Sequence, residues 1–474
     1  MSDTTGSTTP RREFLKNTGR FAAASVLAGV AVPHVHAAEN NTIHVALVGC
    51  GGRGTGAAGN ALSVKNGPIK LVAMADVFQD RLNTSYRNIT KRFGDRVDVP
   101  QDRQFIGFDA YRKALDCLKP GDIAIFATPP AFRWVHFTYA IQKGLNVFME
   151  KPVTVDAPTS QRMFKLGEQA AAKNLKVGVG LMSRHSRPLE ELAKRIHGGE
   201  IGDIVLIRGY RMHGPGGSMQ SPPRPPEVSE LEYQIRRFHS FLWASGGCFS
   251  DFYIHVIDHC GWMKNAWPVQ AQGLGGRHYR DGYVDQNFDC YGVEYTFADE
   301  TKFIMDGRCM TGCTPIYNSF AHGTKGTAVV SHHGDCGGPS ATFKGLGSAK
   351  ANMIWESKVK PGEANPYDNE WNDLVDAVRN NKPYNEVKRG VEASLVTSMG
   401  RMAAHTGRII TWDEMLKLDH EFAPGVDTLT MNSPAPLRAG PDGKYPVPMP
   451  GIVTKREYGD YPVPKPVVVA KRKK

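Results

Sequence analysis

Cysteine pairs at the spacing of metal or redox motifs are missing from this 474-residue chain. Its eight cysteines (Cys50, Cys117, Cys248, Cys260, Cys290, Cys309, Cys313 and Cys336) form no C-x-x-C. Several lie in apolar runs and read as buried free thiols, not as a disulfide framework. Cys309, Cys313, His332, His333 and Cys336 come nearest to a metal cluster, yet neither their spacing nor a second acidic or imidazole shell supports one, so no metal is expected. Long apolar runs are absent too. The N-terminal stretch Phe21 to Val32 is too short and too rich in Ala and Gly for a stable membrane span, and without a cysteine near the cleavage pattern a lipoprotein anchor is not expected. No internal repeat is seen, and no basic stripe. The formal net charge is +11, but residues 1–37 contribute +2 and the four basic residues Lys471 to Lys474 another +4, leaving about +5 on the body. That distribution argues against nucleic acid as a partner.

What is present is a glycine fingerprint. Ile43 to Val48 is an apolar, β-branched run that reads as a strand buried on both faces, and it leads into Gly49, Gly51 and Gly54, a G-x-G-x-x-G. The first glycine permits a tight turn, the second lets backbone approach a pyrophosphate, and the third lets the next helix pack on the strand. With Gly52 and Arg53 between them, these residues are assigned to cofactor binding, at a helix N-terminus that favours phosphate. The next apolar run, Ile69 to Ala75, ends at Asp76, placed for a ribose 2′-hydroxyl. A carboxylate there repels a 2′-phosphate, so NAD is expected ahead of NADP.

The first 37 residues read as a twin-arginine export signal: Arg11-Arg12-Glu13-Phe14-Leu15-Lys16, a weak apolar region, and Val35-His36-Ala37 as the cleavage pattern. This predicts an engagement with the twin-arginine machinery and a periplasmic or otherwise exported location. Residues 40–183 alternate short apolar strands (Ile43 to Val48, Ile69 to Ala75, Ile123 to Thr128, Asn146 to Met149, Lys176 to Leu181) with amphipathic segments, which predicts a doubly wound parallel sheet. Residues 184–430 are expected to form a second α/β domain, and the Pro-rich residues 431–474 an extended tail that wraps a neighbouring subunit or stays without fixed structure.

Ligand and cofactor should meet at the carboxyl ends of the parallel strands. There stand Thr128-Pro129, which turn the chain out of the sheet, and Glu150-Lys151-Pro152, where a Lys at the tip of a buried strand is placed to reach a ligand. Partial burial would draw its amine towards a pKa useful for proton transfer, about 7 to 8. The next strand end carries Arg184 and His185, read as groups for hydroxyl or carboxylate recognition. Gly49-x-Gly51-x-x-Gly54, Thr128-Pro129 and Glu150-Lys151-Pro152, in that order, resemble the glucose-fructose oxidoreductase / inositol dehydrogenase / rhizopine catabolism (Gfo/Idh/MocA) family. The likeness extends to His136-Phe137, Leu181 to His185 and Gly400 to Ala404, and is greatest to exported bacterial members. It implies an N-terminal Rossmann domain, with Thr128, Pro129, Glu150 and Lys151 on the cofactor. It also implies a C-terminal α/β domain with an open, mostly antiparallel mixed sheet, commonly used in homo-oligomer contacts.

Residues 214–230 (GPGGSMQSPPRPPEVSE) read as a long loop over the substrate. Ser245 to Trp262 then reads as a helix opened by glycines, in which Asp251 and His255 stand four apart and share a face. A carboxylate so placed would orient the imidazole and favour its protonation. Taken alone the pair is ordinary helix electrostatics, but the resemblance implies an acid-x-x-x-His proton-transfer pair beside the Lys of Glu-Lys-Pro. Lys151, Asp251 and His255 are therefore the expected catalytic residues, with Tyr253 and Asp258 on the substrate side. The helix at Val391 to His405 is expected to pack back on the first domain.

Three functions remain open on this reading. The first is an exported NAD(P)-dependent oxidoreductase acting on a secondary alcohol of a sugar or polyol, with a tightly held cofactor. The second is an NAD-dependent glycosidase using transient oxidation and elimination, and the third a non-catalytic sugar-binding protein.

Overall fold

In a computed structural model, residues 41–459 are described, apart from 335, 337 and 338. The export signal expected at 1–37 and the last fifteen residues lie outside the described residues. The first sheet takes the order β3-β2-β1-β4-β5-β6, built from Gln104–Ile106 (β3), Ile69–Asp76 (β2), Ile43–Val48 (β1), Ile123–Phe126 (β4), Asn146–Met149 (β5) and Val177–Val179 (β6). Every neighbouring pair is parallel. The order reverses between β1 and β4, so their carboxyl ends open a crevice, the usual ligand position in such sheets.

β1 and β4 are buried along nearly their whole length, as strands covered by helices on both faces must be. On one side lie α1 (Gly52–Ser63) and α2 (Gln79–Phe93); on the other α3 (Ala110–Asp116), α4 (Arg133–Gln142) and α5 (Ala157–Ala172). β4 stops two residues short of the expected Thr128, because Pro129 has no N–H to continue a ladder. The short edge strand β3 is new to the structure. Its three residues are too few to show a period.

α6 (Arg187–His197) leads to the second sheet, built from Ile204–His213 (β7), Gln270–Gly276 (β8), Cys290–Thr296 (β9), Lys302–Cys309 (β10), Ile316–Gly323 (β11), Gly326–His332 (β12), Ala341–Lys344 (β13), Met353–Glu356 (β14) and Ile410–Thr411 (β15), in the order β14-β13-β12-β11-β7-β10-β9-β8-β15. Its centre is β7 (Ile204–His213) beside β10 (Lys302–Cys309), a parallel pair, and the remaining pairs are antiparallel. This is the mixed, mostly antiparallel sheet that the sequence leads one to expect. Between β7 and β8 (Gln270–Gly276), the stretch 214–229 has neither helix nor strand, and α7 (Glu230–Arg236) follows it.

One face of this sheet carries α8 (Gly247–Lys264) and α10 (Val387–Thr406), which follows α9 (Pro366–Arg379). Almost every residue of α8 is buried, so no single apolar stripe marks it. The contact is close enough that a Cβ on Gly307 of β10 would lie 2.1 Å from the Tyr253 ring.

α10 also packs on α5, and Ser394 Oγ accepts from the Val153 N–H at 3.1 Å, so it touches both sheets' layers. The described part of the Pro-rich segment, 431–459, lies along its own chain. Gln234 Nε2 donates to Leu437 O at 2.6 Å, Gln286 Nε2 to Pro446 O at 2.8 Å, and Glu457 is buried against Arg401.

Candidate active site

The glycine loop has the shape that its spacing implies. Gly49 adopts φ +97°, and a Cβ on it would stand 2.6 Å from the Ala127 carbonyl carbon at the end of β4. A Cβ on Gly54 would lie 1.9 Å from Gly49 O, so α1 can start this close to β1 only with glycine there. At Gly51 and Gly52 the corresponding space is open. That space belongs to a cleft of about 770 Å³ along the carboxyl edge of the first sheet, which holds the loop, Asp76, Arg81, Thr128, Pro129 and His239 in its wall. The first N–H groups of α1 face no side-chain cap, as befits an anion seat.

Asp76 closes the loop from below. Its Oδ2 accepts from Cys50 N at 2.6 Å and its Oδ1 from Phe78 N at 2.9 Å. Burial holds the carboxyl above its ordinary value against the opposing pull of these N–H groups. Arg53 and Glu150, both expected on the cofactor, are spent on each other. Arg53 Nε donates to Glu150 Oε1 at 2.5 Å, its Nη2 lies 3.5 Å from Glu370 Oε1, and its guanidinium stacks on Tyr367 at 4.5 Å. This pair ties the start of α1 to the tip of β5, with Glu150 buried and Arg53 still part of the cleft wall. Burial alone would lower Arg53, but the two glutamates outweigh it and raise its pKa. Thr128 Oγ1 lies 3.3 Å from His136 Nδ1, and Thr128 O accepts from the fully buried Arg133 at 2.9 Å, which fixes the turn after β4.

Lys151 leaves the tip of β5 and meets the first turns of α8. Its Nζ donates to Asp251 O at 2.5 Å and lies 3.6 Å from Asp251 Oδ1. Burial would raise the Asp251 carboxyl, yet Lys151 and His239 together hold it below the usual value, so it stays ionised. The imidazole paired with Asp251 is not His255, as the four-residue spacing led one to expect, but His239, whose Nε2 stands 3.4 Å from Asp251 Oδ2. Ser218 N–H donates to His239 Nδ1 at 3.3 Å, so Nδ1 carries the lone pair and Nε2–H faces the carboxylate. Gly217, at φ +54°, lets this loop reach the ring, since a Cβ there would be 2.7 Å from it.

His255 itself is buried with Nδ1 lacking a hydrogen-bond partner. Burial, then the charges of Lys151 and Arg211, push its pKa well below the ordinary value. The expected protonation by Asp251 is therefore reversed. His255 is a neutral base at neutral pH, because two cations and loss of solvent outweigh one carboxylate already committed elsewhere.

No family model matches the chain. Inositol 2-dehydrogenase of Corynebacterium glutamicum is 30% identical over 151 residues, 32% of this chain and 37% of that protein. The scyllo-inositol 2-dehydrogenase (NAD(+)) of Bacillus subtilis is 25% identical over 171 residues, 36% and 43% of the two. The chain thus spans well under half the length of the curated relatives it matches. A solved scyllo-inositol dehydrogenase from Lactobacillus casei, with bound cofactor NAD(H) and scyllo-inositol, superposes at a TM-score of 0.56 with 21% identity, over 78% of this chain and 99% of that one. The chain has the fold of an inositol dehydrogenase.

Within this dehydrogenase fold, four residues expected on the substrate are engaged elsewhere. Arg184 and Asp258 form a bidentate pair with each other, Nη2 to Oδ1 at 2.8 Å and Nε to Oδ2 at 2.9 Å, under Trp262. Tyr253 is entirely buried, and its hydroxyl lies 3.5 Å from Cys248 Sγ and 3.4 Å from Cys309 Sγ, on the sheet-facing side of α8. Position 253 falls on that side because helix periodicity turns it away from Asp251 and His255.

His185 is held by Asp373 at 2.7 Å and Glu386 at 3.2 Å. Burial alone would lower its pKa, but the two carboxylates outweigh it and raise it to about 9. A folded-state value above the unfolded one, about 6.5, means that its contribution to stability is complete below about pH 6.5 and lost as pH rises through about 9. The unfolding midpoint should fall across that window by several degrees more than in His185→Gln. Parallel melting curves from pH 6 to 10 check this, and identical slopes would refute it.

Proposed function

We propose that the chain is an NAD-dependent oxidoreductase of the Gfo/Idh/MocA family, acting on a secondary alcohol of a polyol or sugar derivative. We further propose that it is exported by the twin-arginine route with its cofactor tightly held. The observation that carries this reading is the meeting of two remote segments behind the cleft wall: Lys151 from β5 pairs with Asp251 from α8, and Asp251 reaches the cleft through His239 of its lining. Similarity to inositol dehydrogenases supports the chemistry; the Arg11-Arg12 motif supports the route.

The residues present fit a dinucleotide. Gly51, Gly52 and the α1 N-terminus would hold the pyrophosphate, and Asp76 the adenosine ribose hydroxyls. When bound, the nicotinamide supplies hydride acceptance. The chain's own part is to hold and deprotonate the alcohol. Lys151, anchored on the Asp251 carbonyl, presents an ammonium that stabilises an alkoxide, and the neutral His255 is free to take the hydroxyl proton. Asp251 keeps Lys151 in position, and His239 with Ser218 fixes Asp251.

Mass spectrometry of the protein purified from its exported fraction tests the reading, followed by assay against myo- and scyllo-inositol. Bound NAD and a stoichiometric keto product are expected. Loss of a glycosyl group without NADH accumulation would favour transient-oxidation glycoside cleavage instead, and ligand binding without turnover a sugar-binding protein. Asp76→Ser should raise affinity for NADP by at least about tenfold, since it removes a like-charge clash worth more than about 1.4 kcal/mol. Titration of both cofactors checks this, and an unchanged preference would remove Asp76 from the site.

A further inference from the structure

Behind the candidate site lies a second chemical cluster that the reaction does not use. Cys248, in the first turn of α8, and Cys309, the last residue of β10, place their sulfurs 2.8 Å apart, and both are buried. Their backbones are pinned: Cys248 N–H donates to Asn287 Oδ1 at 2.8 Å and Cys309 N–H to Asp289 O at 2.7 Å. Parallel pairing of β7 with β10 sets Cys309 opposite His213. His213 Nδ1 donates to Gly214 O, which leaves the Nε2 lone pair facing Cys309 Sγ at 3.8 Å. The Tyr253 hydroxyl is within 3.4 Å of Cys309 Sγ and 3.5 Å of Cys248 Sγ. A thiol pair, a base and a hydroxyl donor therefore converge on one point. Burial would raise both thiols, but hydrogen bonding from Cys248 and the neighbouring His213 turn Cys309 the other way, towards thiolate, while Cys248 stays protonated.

We propose that Cys248 and Cys309 form a peroxide-oxidisable dithiol, with Cys309 the attacking sulfur, Cys248 the resolving thiol and His213 the proton acceptor. The Cys309 thiolate attacks one oxygen of hydrogen peroxide, the O–O bond breaks, and hydroxide leaves to become the first water, with Cys309 converted to a sulfenic acid. Cys248 sulfur then attacks that sulfur, the S–O bond breaks, and a second water leaves as the disulfide forms. Two thiol protons and one peroxide give two waters; the peroxide gains the two electrons that the thiols lose. His213 is half-exposed and marks the side from which so small an oxidant enters. Cys248 lies three residues before Asp251, and the His213 ring lies 5.6 Å from Phe252, which in turn is 5.6 Å from His239. Closing the bond would tie the start of α8 to the sheet next to the candidate site.

The test uses the native full chain, treated with hydrogen peroxide, alkylated before unfolding, and mapped without reduction. A Cys248–Cys309 link lighter by two hydrogens, reversed by dithiothreitol, is expected, with fragmentation separating Cys309 from Cys313 and Cys248 from Cys260. Cys248→Ser should leave Cys309 as a sulfenic acid trapped by dimedone. Cys309→Ser should leave Cys248 unoxidised, and His213→Asn should slow closure by at least about tenfold. Retention of both thiols in the native wild type while Cys117 or Cys290 oxidises, or a link formed only after unfolding, would overturn the proposal. The wild-type measurement needs no variant to fold.

Discussion

Lys151→Ala is expected to lower kcat for alcohol oxidation by about 10³-fold, within the range usual for a positioned proton-transfer group. Affinity for NAD should change little, because the glycine loop and Asp76 do not touch Lys151. Loss of the ammonium acts in two ways. It removes the charge that would stabilise an alkoxide, and it leaves the buried Asp251 carboxylate with the His239 Nε2–H as its remaining side-chain partner. His255 also loses the cation that contributes most, after burial, to keeping it neutral, so its titration should move upward and shift the pH profile of residual activity. A merely structural Lys151 would leave that profile in place. Single-turnover kinetics with NAD binding followed by fluorescence separates the effects, and a variant within tenfold of wild-type kcat would remove Lys151 from the catalytic set.

The second large effect concerns the far side of α8. Arg401 of α10 is completely buried and holds Glu457 in a two-pronged contact, 2.8 Å on each arm. The same guanidinium donates to Ser250 Oγ at 2.6 Å and to Val155 O at 2.9 Å, and His405 Nδ1 lies 2.7 Å from Glu457 Oε2. One arginine thus binds the C-terminal segment, the helix bearing Asp251, and the chain just after Lys151.

Glu457→Ala strands that cation in the interior and is expected to cost about 3 to 5 kcal/mol. Replacing both partners, Arg401→Met with Glu457→Leu, should recover much of this, because the charges then vanish together. Denaturant midpoints at constant m-value check both outcomes, and a Glu457→Ala loss under about 1 kcal/mol would show the segment to be loosely held. The pair also predicts acid sensitivity. Burial alone would raise Glu457, but Arg401 and His405 bring it down to about 2. Its stabilisation is then present above the ordinary carboxylate range and lost as pH falls towards about 2.

Much of the first sheet could be read directly from the residues. Buried parallel strands announce themselves as short β-branched runs, and the functions of Gly49, Gly51 and Gly54 follow from local backbone sterics that need no distant partner. Lys151 and Asp251 could be named from motifs, since each sits in a locally distinctive stretch.

His239 could not. It stands in Arg237-Phe238-His239-Ser240 with no spacing signal, and it reaches Asp251 only because Gly217 and Ser218 of the preceding loop pack against its ring. Tyr253, Arg184, His185 and Arg53 show the converse. Their chemistry fits ligand recognition, but residue type alone cannot reveal that a carboxylate or a sheet already occupies each of them.

The sequence by itself determined the periodicity, the glycine turn and the identity of the charged strand tips, because these depend on steric and hydrophobic patterns within a few residues. Tertiary structure decided which acid meets which base. Electrostatic pairing and burial depend on distances of a few ångströms between segments far apart in the chain, such as Glu386 and Val179, whose N–H···O contact is 2.8 Å across a separation of 207. Coulomb energy follows spatial distance and local polarisability, neither of which is written along the chain.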